Sequence, residues 1–192
     1  MTNIKILVKG YYRPKPVKVC STITLVQDDN INIIIDPGSV KNPDIIHNSL
    51  MKNGLTAENI HCVCITHSHI DHYKNVSLFK NASVIDYWGE WKNDLFIENT
   101  SNRNITENVS ILMTPGHSKD SISFIINTKD NVIAVCGDVF WFKNGPEYDS
   151  LAEDHTALKI SRQLLINKAD LIIPGHGAPF KTDSIKRNFT DK

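Results

Sequence analysis

Within the stretch Thr66-His67-Ser68-His69-Ile70-Asp71-His72, three imidazoles and one carboxylate fall in six consecutive residues. Imidazole nitrogen and carboxylate oxygen are the ligands that a borderline-soft divalent ion such as zinc accepts. The chain has eight histidines, so three in one heptapeptide is a local concentration with a local cause. His67 and His69 stand two apart, and on an extended segment their side chains leave on the same side and reach one ion. Asp71 and His72 follow as the chain turns, toward a second ion beside the first. A polar loop that merely contains histidines does not account for the cluster, because imidazoles and a carboxylate this crowded need a ligand or solvent.

The elements that must position this cluster follow from the apolar pattern. Ile4 to Val8 is a short strand. Gly10 to Pro16, with two prolines, is expected as an irregular exposed loop carrying Tyr11, Tyr12 and Arg13 with Lys15 and Lys18, either an ordinary surface loop or a flap over substrate. Ser21 to Val26 and Ile31 to Ile35 form a hairpin that ends at Asp36-Pro37-Gly38. Asp36 is a turn-forming residue or a carboxylate that orients a metal-binding histidine. Asn42 to Asn53 is helical and stops at Gly54. Ile60 to Ile65 is the strand that delivers the histidines, and Tyr73 to Phe79 continues as a short helix.

Farther along, Ser83 to Tyr87 is a strand, and Gly89 to Asn108 is polar with no clear periodicity. Val109 to Met113 ends in Thr114-Pro115-Gly116-His117. Ser121 to Ile126 and Asn131 to Val135 make a second hairpin that ends in Gly137-Asp138. Ser150 to Asn167 is an amphipathic helix with Leu151, Ala152, His155, Leu158, Ile160, Leu164 and Leu165 near its apolar stripe. Leu171 to Ile173 ends in Pro174-Gly175-His176-Gly177. Separate strands thus end in small-residue turns that carry His67, His117, Asp138 and His176, and Asp36 ends another. Convergence of strand ends on one edge is how α/β scaffolds build sites.

Composition bounds what the site can serve. The length of 192 residues and an apolar fraction of 41% suit one domain, residues 1–192, with a sizeable core. Twenty-one basic residues balance twenty-one acidic ones, so the net charge gives no global pull toward nucleic acid or an anionic membrane. No signal-peptide pattern opens the sequence, and no apolar run reaches the ~20 residues of a membrane span. A reduced cytoplasmic setting is therefore expected, with Cys20, Cys62, Cys64 and Cys136 as free thiols in apolar strands. No membrane partner is expected, and a homodimer is compatible with a chain of this size.

The run His67-Ser68-His69-Ile70-Asp71-His72 resembles the H-x-H-x-D-H signature of the metallo-β-lactamase fold superfamily, and His117, Asp138 and His176 occur in the order of its later metal motifs. Thr114 to His117, Gly137 to Phe140 and Ser150 to Phe180 are similar to the family of metallo-β-lactamase domain-containing protein 1. The resemblance implies an α/β fold, a four-layer αβ/βα sandwich. It implies one metal on His67, His69 and His117, a second on Asp71, His72 and His176, and Asp138 between them. The cofactor is expected to be two zinc ions per chain, with iron or manganese as alternatives. Antibiotic-hydrolysing members of the best-known class carry a cysteine where this chain has Asp138. Cys136 lies two residues before that position, so a dedicated β-lactamase is not expected.

The implied activity is hydrolysis by a metal-bridging hydroxide, with Asp71 as the catalytic residue that orients the nucleophile and carries a proton to the leaving group. His47, His61 and His155 are read as structural. The first substrate reading is RNA or another single-stranded nucleic acid, because that family is linked to RNA cleavage. Arg13, Lys15, Lys18, Lys119 and Lys143 would supply a cationic rim, and Tyr11, Tyr12, Trp88 and Trp91 would supply stacking faces. The second is a small-molecule ester, lactone or thioester, with β-lactam hydrolysis as a side activity. An iron-dependent persulfide dioxygenase ranks lower, because the ligand set exceeds what one iron needs. A non-catalytic metal-stabilised module would require a broken ligand set.

Overall fold

Alternation along the buried strands decides the layering. In the computed structural model, which describes residues 1–98 and 103–185, seven strands form one sheet in the order β1 (Asn3–Val8), β4 (Ile23–Asp28), β5 (Ile31–Ile35), β6 (Cys62–Cys64), β7 (Ser83–Ile85), β8 (Gly89–Lys92) and β9 (Leu95–Glu98). Five more form a second sheet: β10 (Val109–Met113), β11 (Ile122–Asn127), β12 (Val132–Val135), β13 (Leu171–Ile173) and β14 (Phe180–Lys181). On β5 and β6, Ile33, Ile35, Cys62 and Cys64 face inward and pack with Val109, Ile111, Phe124, Val135 and Ile173 of the second sheet. Ile34 and Val63 point the other way, onto Ile46 and Leu50 of helix α1 (Asp44–Met51). Ile125, Ala134 and Ile172 face Leu158, Leu165 and Ile166 of helix α3 (His155–Lys168). Helix, sheet, sheet and helix therefore stack as the four layers of an αβ/βα sandwich.

The strand pairs β5–β6, β6–β7 and β12–β13 are parallel. Parallel neighbours need a crossover, and α1 and α3 supply two of them. Strands buried on both faces read as continuous apolar runs, which is why these segments stand out in the sequence. Their parallel course also sets the carboxyl ends of β5 and β6, and of β12 and β13, at common edges.

Four expectations change. The stretch Gly10 to Pro16 is not an irregular loop: β2 (Tyr11–Pro14) and β3 (Val17–Cys20) pair as a two-stranded ribbon. A ribbon with two free edges tolerates prolines that a central strand excludes. The helix expected over Tyr73 to Phe79 lies earlier, as α2 (Ile70–Tyr73), followed by a 3-10 turn over Val76–Leu78. The stretch 89–108 contains the β8–β9 hairpin, and residues 99–102 of it lie outside the described residues.

The fourth change concerns α3. It starts at His155, leaving Leu151 and Ala152 in the preceding turn, and Leu151, Ile160 and Leu164 are exposed. Its inner face instead buries Ser161 and Arg162. Ser161 Oγ donates to Pro115 O at 2.7 Å, and Arg162 Nε donates to Val139 O at 2.8 Å. Those carbonyls flank His117 and Asp138, so the helix face is polar where it holds the turns of the site. Cys20, Cys62, Cys64 and Cys136 are all free and buried. Among the described residues no helix is long and apolar enough to cross a membrane.

Asp154 caps α3, accepting from Thr156 N and Ala157 N at 2.9 Å each. Asp154→Ala leaves those donors unsatisfied and is expected to lower unfolding free energy by about 1 kcal/mol, read as a lower urea midpoint at unchanged slope.

Candidate metal centre

All seven candidate ligands come together, from four segments of the chain. His67 and His69 follow β6, Asp71 and His72 sit on α2, His117 follows β10, Asp138 follows β12, and His176 follows β13. One group comprises His67, His69, His117 and Asp138, and a second comprises Asp71, His72 and His176, each with potential ligand atoms within 4.8 Å of one another. The segment 66–68 bends rather than running extended, so the rings of His67 and His69 meet edge to face, with centroids 4.6 Å apart. His69 Nδ1 lies 3.0 Å from both His67 Nε2 and His117 Nε2. Ligands 2.0–2.1 Å from a tetrahedral zinc are separated by roughly 3.3 Å, so these nitrogens fit the corners of one coordination sphere.

Asp138 faces both groups. Its Oδ2 is 3.6 Å from His117 Nε2, and its Oδ1 is 3.4 Å from His72 Nε2 and 3.1 Å from His176 Nε2. Asp71 Oδ2 lies 3.7 Å from His72 Nε2 and 3.5 Å from His176 Nε2. Asp138 reaches this position because residue 175 is glycine. A Cβ there would stand 1.9 Å from Asp138 Oδ1. Gly116 plays the same part for His117: its φ is +135°, and a Cβ would meet the Leu158 backbone.

The far nitrogen of each ring decides what the near one offers. His117 Nδ1 donates to Asp149 Oδ2 at 2.7 Å, and His72 Nδ1 donates to Asp36 Oδ2 at 2.7 Å. His176 Nδ1 donates to the Cys20 carbonyl at 3.0 Å. A neutral imidazole holding its proton at Nδ1 presents a lone pair at Nε2. The lone pairs of His72 and His176 therefore face Asp71 and Asp138, and that of His117 faces Asp138 and His69. Asp71 Oδ2, His72 Nε2 and Asp138 Oδ1 are buried with no hydrogen-bond partner. Lone pairs so arranged repel unless a cation lies between them, so this donor set fits divalent metal, held by outer hydrogen bonds of the kind that orient ligating histidines.

The electrostatics divide the two groups. Burial, aided by the His72 charge, holds His67 well below the usual imidazole range, and burial with His117 lowers His69, so both are neutral at pH 7. Burial also acts to lower His72, but Asp36 and Asp138 outweigh it and raise the ring well above the usual range. At His176 burial is again outweighed, by Asp138. Burial tends to raise Asp138, and His72 and His176 override it and hold the carboxylate well below its ordinary value. With no metal, protons on His72 and His176 are the positive charge that the second group's carboxylates can recruit.

Asp36 takes the orienting role. It sits at φ +52° after β5 and, besides binding His72, accepts from Thr66 N and Thr66 Oγ1 at 2.8 Å each. His47, His61 and His155 lie in neither group. Cys136 packs into the apolar cluster under α3, and burial pushes its thiol up to about 12. Three residues with no strand-end signal were not legible beforehand. Asp149 lies mid-loop and is fully buried behind His117; Trp141 Nε1 donates to Asp149 Oδ2 at 3.1 Å; and Asp120 accepts from Ser68 N and Ser68 Oγ.

Comparison with known proteins agrees with this geometry. Residues 20–103 match the profile of the metallo-beta-lactamase superfamily. That match spans less than half of the chain, which over this stretch is similar to metallo-beta-lactamase superfamily proteins. It is 27% identical over 190 residues to metallo-beta-lactamase domain-containing protein 1 of Xenopus laevis, covering 93% of this chain and 81% of the frog protein. It is 29% identical over 160 residues to the Rattus norvegicus protein of that name, covering 78% of this chain. The chain spans 62% of the rat protein's length, less than two thirds. A crystal structure from Thermotoga maritima that carries a metallo-beta-lactamase designation superposes with a TM-score of 0.74 at 23% identity, covering 94% of this chain and 99% of that one. The chain is also 36% identical over 113 residues to a Methanocaldococcus jannaschii protein named a probable metallo-hydrolase, covering 58% of this chain, and its own His/Asp cluster could bind metal.

Asp149→Asn removes the negative charge that holds His117. Metal affinity is expected to fall 10- to 100-fold, measured by competition with a chromophoric chelator, while the far-UV circular dichroism spectrum stays unchanged.

Proposed function

We propose that the protein is a dinuclear metal-dependent hydrolase that cleaves phosphodiester bonds of RNA or single-stranded nucleic acid. The observation that carries the dinuclear assignment is the triad of buried, unpartnered atoms Asp71 Oδ2, His72 Nε2 and Asp138 Oδ1 between two histidine groups. His67, His69 and His117 would hold one ion and Asp71, His72 and His176 the other, with Asp138 shared; zinc suits this donor set, and iron or manganese are the alternatives. Bound there, two divalent cations lower the pKa of water and polarise the substrate's phosphoryl or carbonyl oxygen.

The chain's own residues do the rest. Asp36, Asp149 and the Cys20 carbonyl keep Nε2 of His72, His117 and His176 turned inward. Asp71 is the catalytic carboxylate: it sits at the solvent side of the second group, with 14% of its side chain exposed, where a proton can be accepted and passed to the leaving oxygen. Arg13, Lys15 and Lys18 are exposed on the β2–β3 ribbon, and Lys119 is exposed two residues after His117, which supports a polyanionic substrate.

The balanced net charge favours a second reading, hydrolysis of a small ester, lactone or thioester, which needs no extended cationic surface. The same ligands would serve it.

Elemental analysis with parallel assays on single-stranded RNA, a lactone and a β-lactam separates these readings. Two zinc ions per chain with RNA cleavage are expected; one iron with no hydrolysis overturns both. Asp71→Asn is expected to cut turnover by about 10²–10⁴-fold with the fold intact, and unchanged turnover removes Asp71 from the mechanism. Asp138→Ala is expected to lower metal content toward one ion per chain, and full occupancy by two would end its shared role.

A further inference from the structure

The β2–β3 ribbon is bonded at its root to the ligand loops. Its last residue, Cys20, accepts from His176; Ser21 N donates to Asp71 O at 3.2 Å; and Thr22 N donates to Gly175 O at 2.7 Å. From that root the ribbon extends outward, and residues 12–18 are all exposed. One side chain on it turns back to the site. The Tyr12 ring meets the Trp141 ring at 5.6 Å, edge to face. Trp141 in turn lies 5.9 Å from the ring of His117 and 5.9 Å from that of His176. Those histidines belong to different groups, so the indole borders both.

Solvent-exposed aromatics are common and carry no meaning singly. This pair differs in how it is fixed. The indole N–H is tied to Asp149, the buried carboxylate that also holds His117, so Trp141 is half-buried and cannot swing clear without disturbing a ligand's partner. Tyr12 stays 43% exposed beside it. A rigid aromatic surface opening to solvent at the border of a polar, charged centre has the properties of a ring-stacking platform. Every nucleobase offers a π-face, and stacking on aromatic side chains is how single strands are held without sequence readout. On the same ribbon Arg13 lies over Tyr11, 5.4 Å from its centroid, and pairs across the strands with Lys18, on the face opposite Tyr12, so the platform itself is aromatic rather than cationic.

We infer that Tyr12 and Trp141 form a base-stacking subsite, which seats the nucleobase next to the scissile phosphodiester against the metal centre. The identity of the ring rests on the nucleic-acid reading above; the platform itself rests on the geometry.

The test compares two ligands with the same phosphate. The metal-loaded protein is titrated calorimetrically with adenosine 5′-monophosphate and with ribose 5-phosphate, and the ratio of the two dissociation constants isolates the base. In the unaltered protein the base is expected to tighten binding roughly 5- to 100-fold, the range of one base–aromatic stack. Tyr12→Ala, at an exposed position, is expected to bring the ratio toward one, and Tyr12→Phe to keep it; metal content per chain, measured in each variant, separates lost stacking from lost metal. A ratio near one in the unaltered protein overturns the subsite, as does a ratio that survives both Tyr12→Ala and Trp141→Ala. Single-stranded RNA is assayed alongside. A large ratio without RNA cleavage would leave the subsite standing and sink the nuclease reading, and cleavage with a ratio of one would do the reverse.

Discussion

Three imidazole lone pairs and two carboxylates are forced to share one buried space, and most of what surrounds them follows from that crowding. Each histidine nitrogen must have its proton drawn to the outer side, or its inner lone pair is lost. Asp36, Asp149 and the Cys20 carbonyl do this for His72, His117 and His176. Each of these partners is then itself anchored: Asp36 by Thr66, Asp149 by Trp141 and Leu151, and Cys20 by the ribbon it ends. Glycine at 116 and 175 removes the Cβ atoms that would collide with Leu158 and Asp138. The sandwich therefore presents an edge at which buried polar groups are satisfied on one side and left open on the other, the condition under which a cation is held.

That edge explains the contrast between the two groups. His67 and His69 lose their proton affinity to burial and to neighbouring imidazoles, while His72 and His176 gain it from carboxylates. In the first group the histidines are neutral and Asp138 is its one carboxylate; around the second, Asp71 and Asp36 add to the facing Asp138 and bring negative charge that needs an answer. A divalent ion answers it without leaving buried oxygen and nitrogen atoms unpaired, which protons on two histidines do not: Asp71 Oδ2 and Asp138 Oδ1 still lack partners.

The clustering of these residues was legible because they combine three local signals: a residue type with metal affinity, the end of an apolar strand, and an adjacent small residue. His117, Asp138 and His176 each show all three. The strands were legible for the related reason that burial on both faces makes β5, β6 and β13 unbroken apolar runs. What escaped is what tertiary contact alone creates. Asp149 is an acidic residue in a loop until the fold brings His117 to 2.7 Å. Ser161 and Arg162 read as the polar side of α3, yet they are buried because the carbonyls of Pro115 and Val139 lie opposite. Pro14 and Pro16 argued against regular structure, but a ribbon that extends from the body has no neighbouring strand to deny donors to. For Asp149, Ser161 and Arg162 the partner that overrode the sequence rule lay far away along the chain, whereas the ribbon pairs with its immediate neighbour.

On the proposed function, the ribbon and the Trp141 loop are also where the substrate question is decided. The metal ligands are indifferent to it, since phosphoryl and carbonyl oxygens meet the same groups. Charge balance over the whole chain leans toward a small substrate but does not decide it, because a neutral total permits local cationic patches. Selectivity must come from surfaces that touch the substrate outside the ligand set, and the structure fastens two such surfaces directly to ligands: the ribbon through His176, and the indole through the carboxylate behind His117. Elements attached in this way cannot shift without moving a nitrogen of the His/Asp cluster. Recognition of the substrate's remote parts and alignment of the ligands are thereby mechanically joined, and binding energy from those parts can be expressed at the reacting atoms rather than in affinity alone.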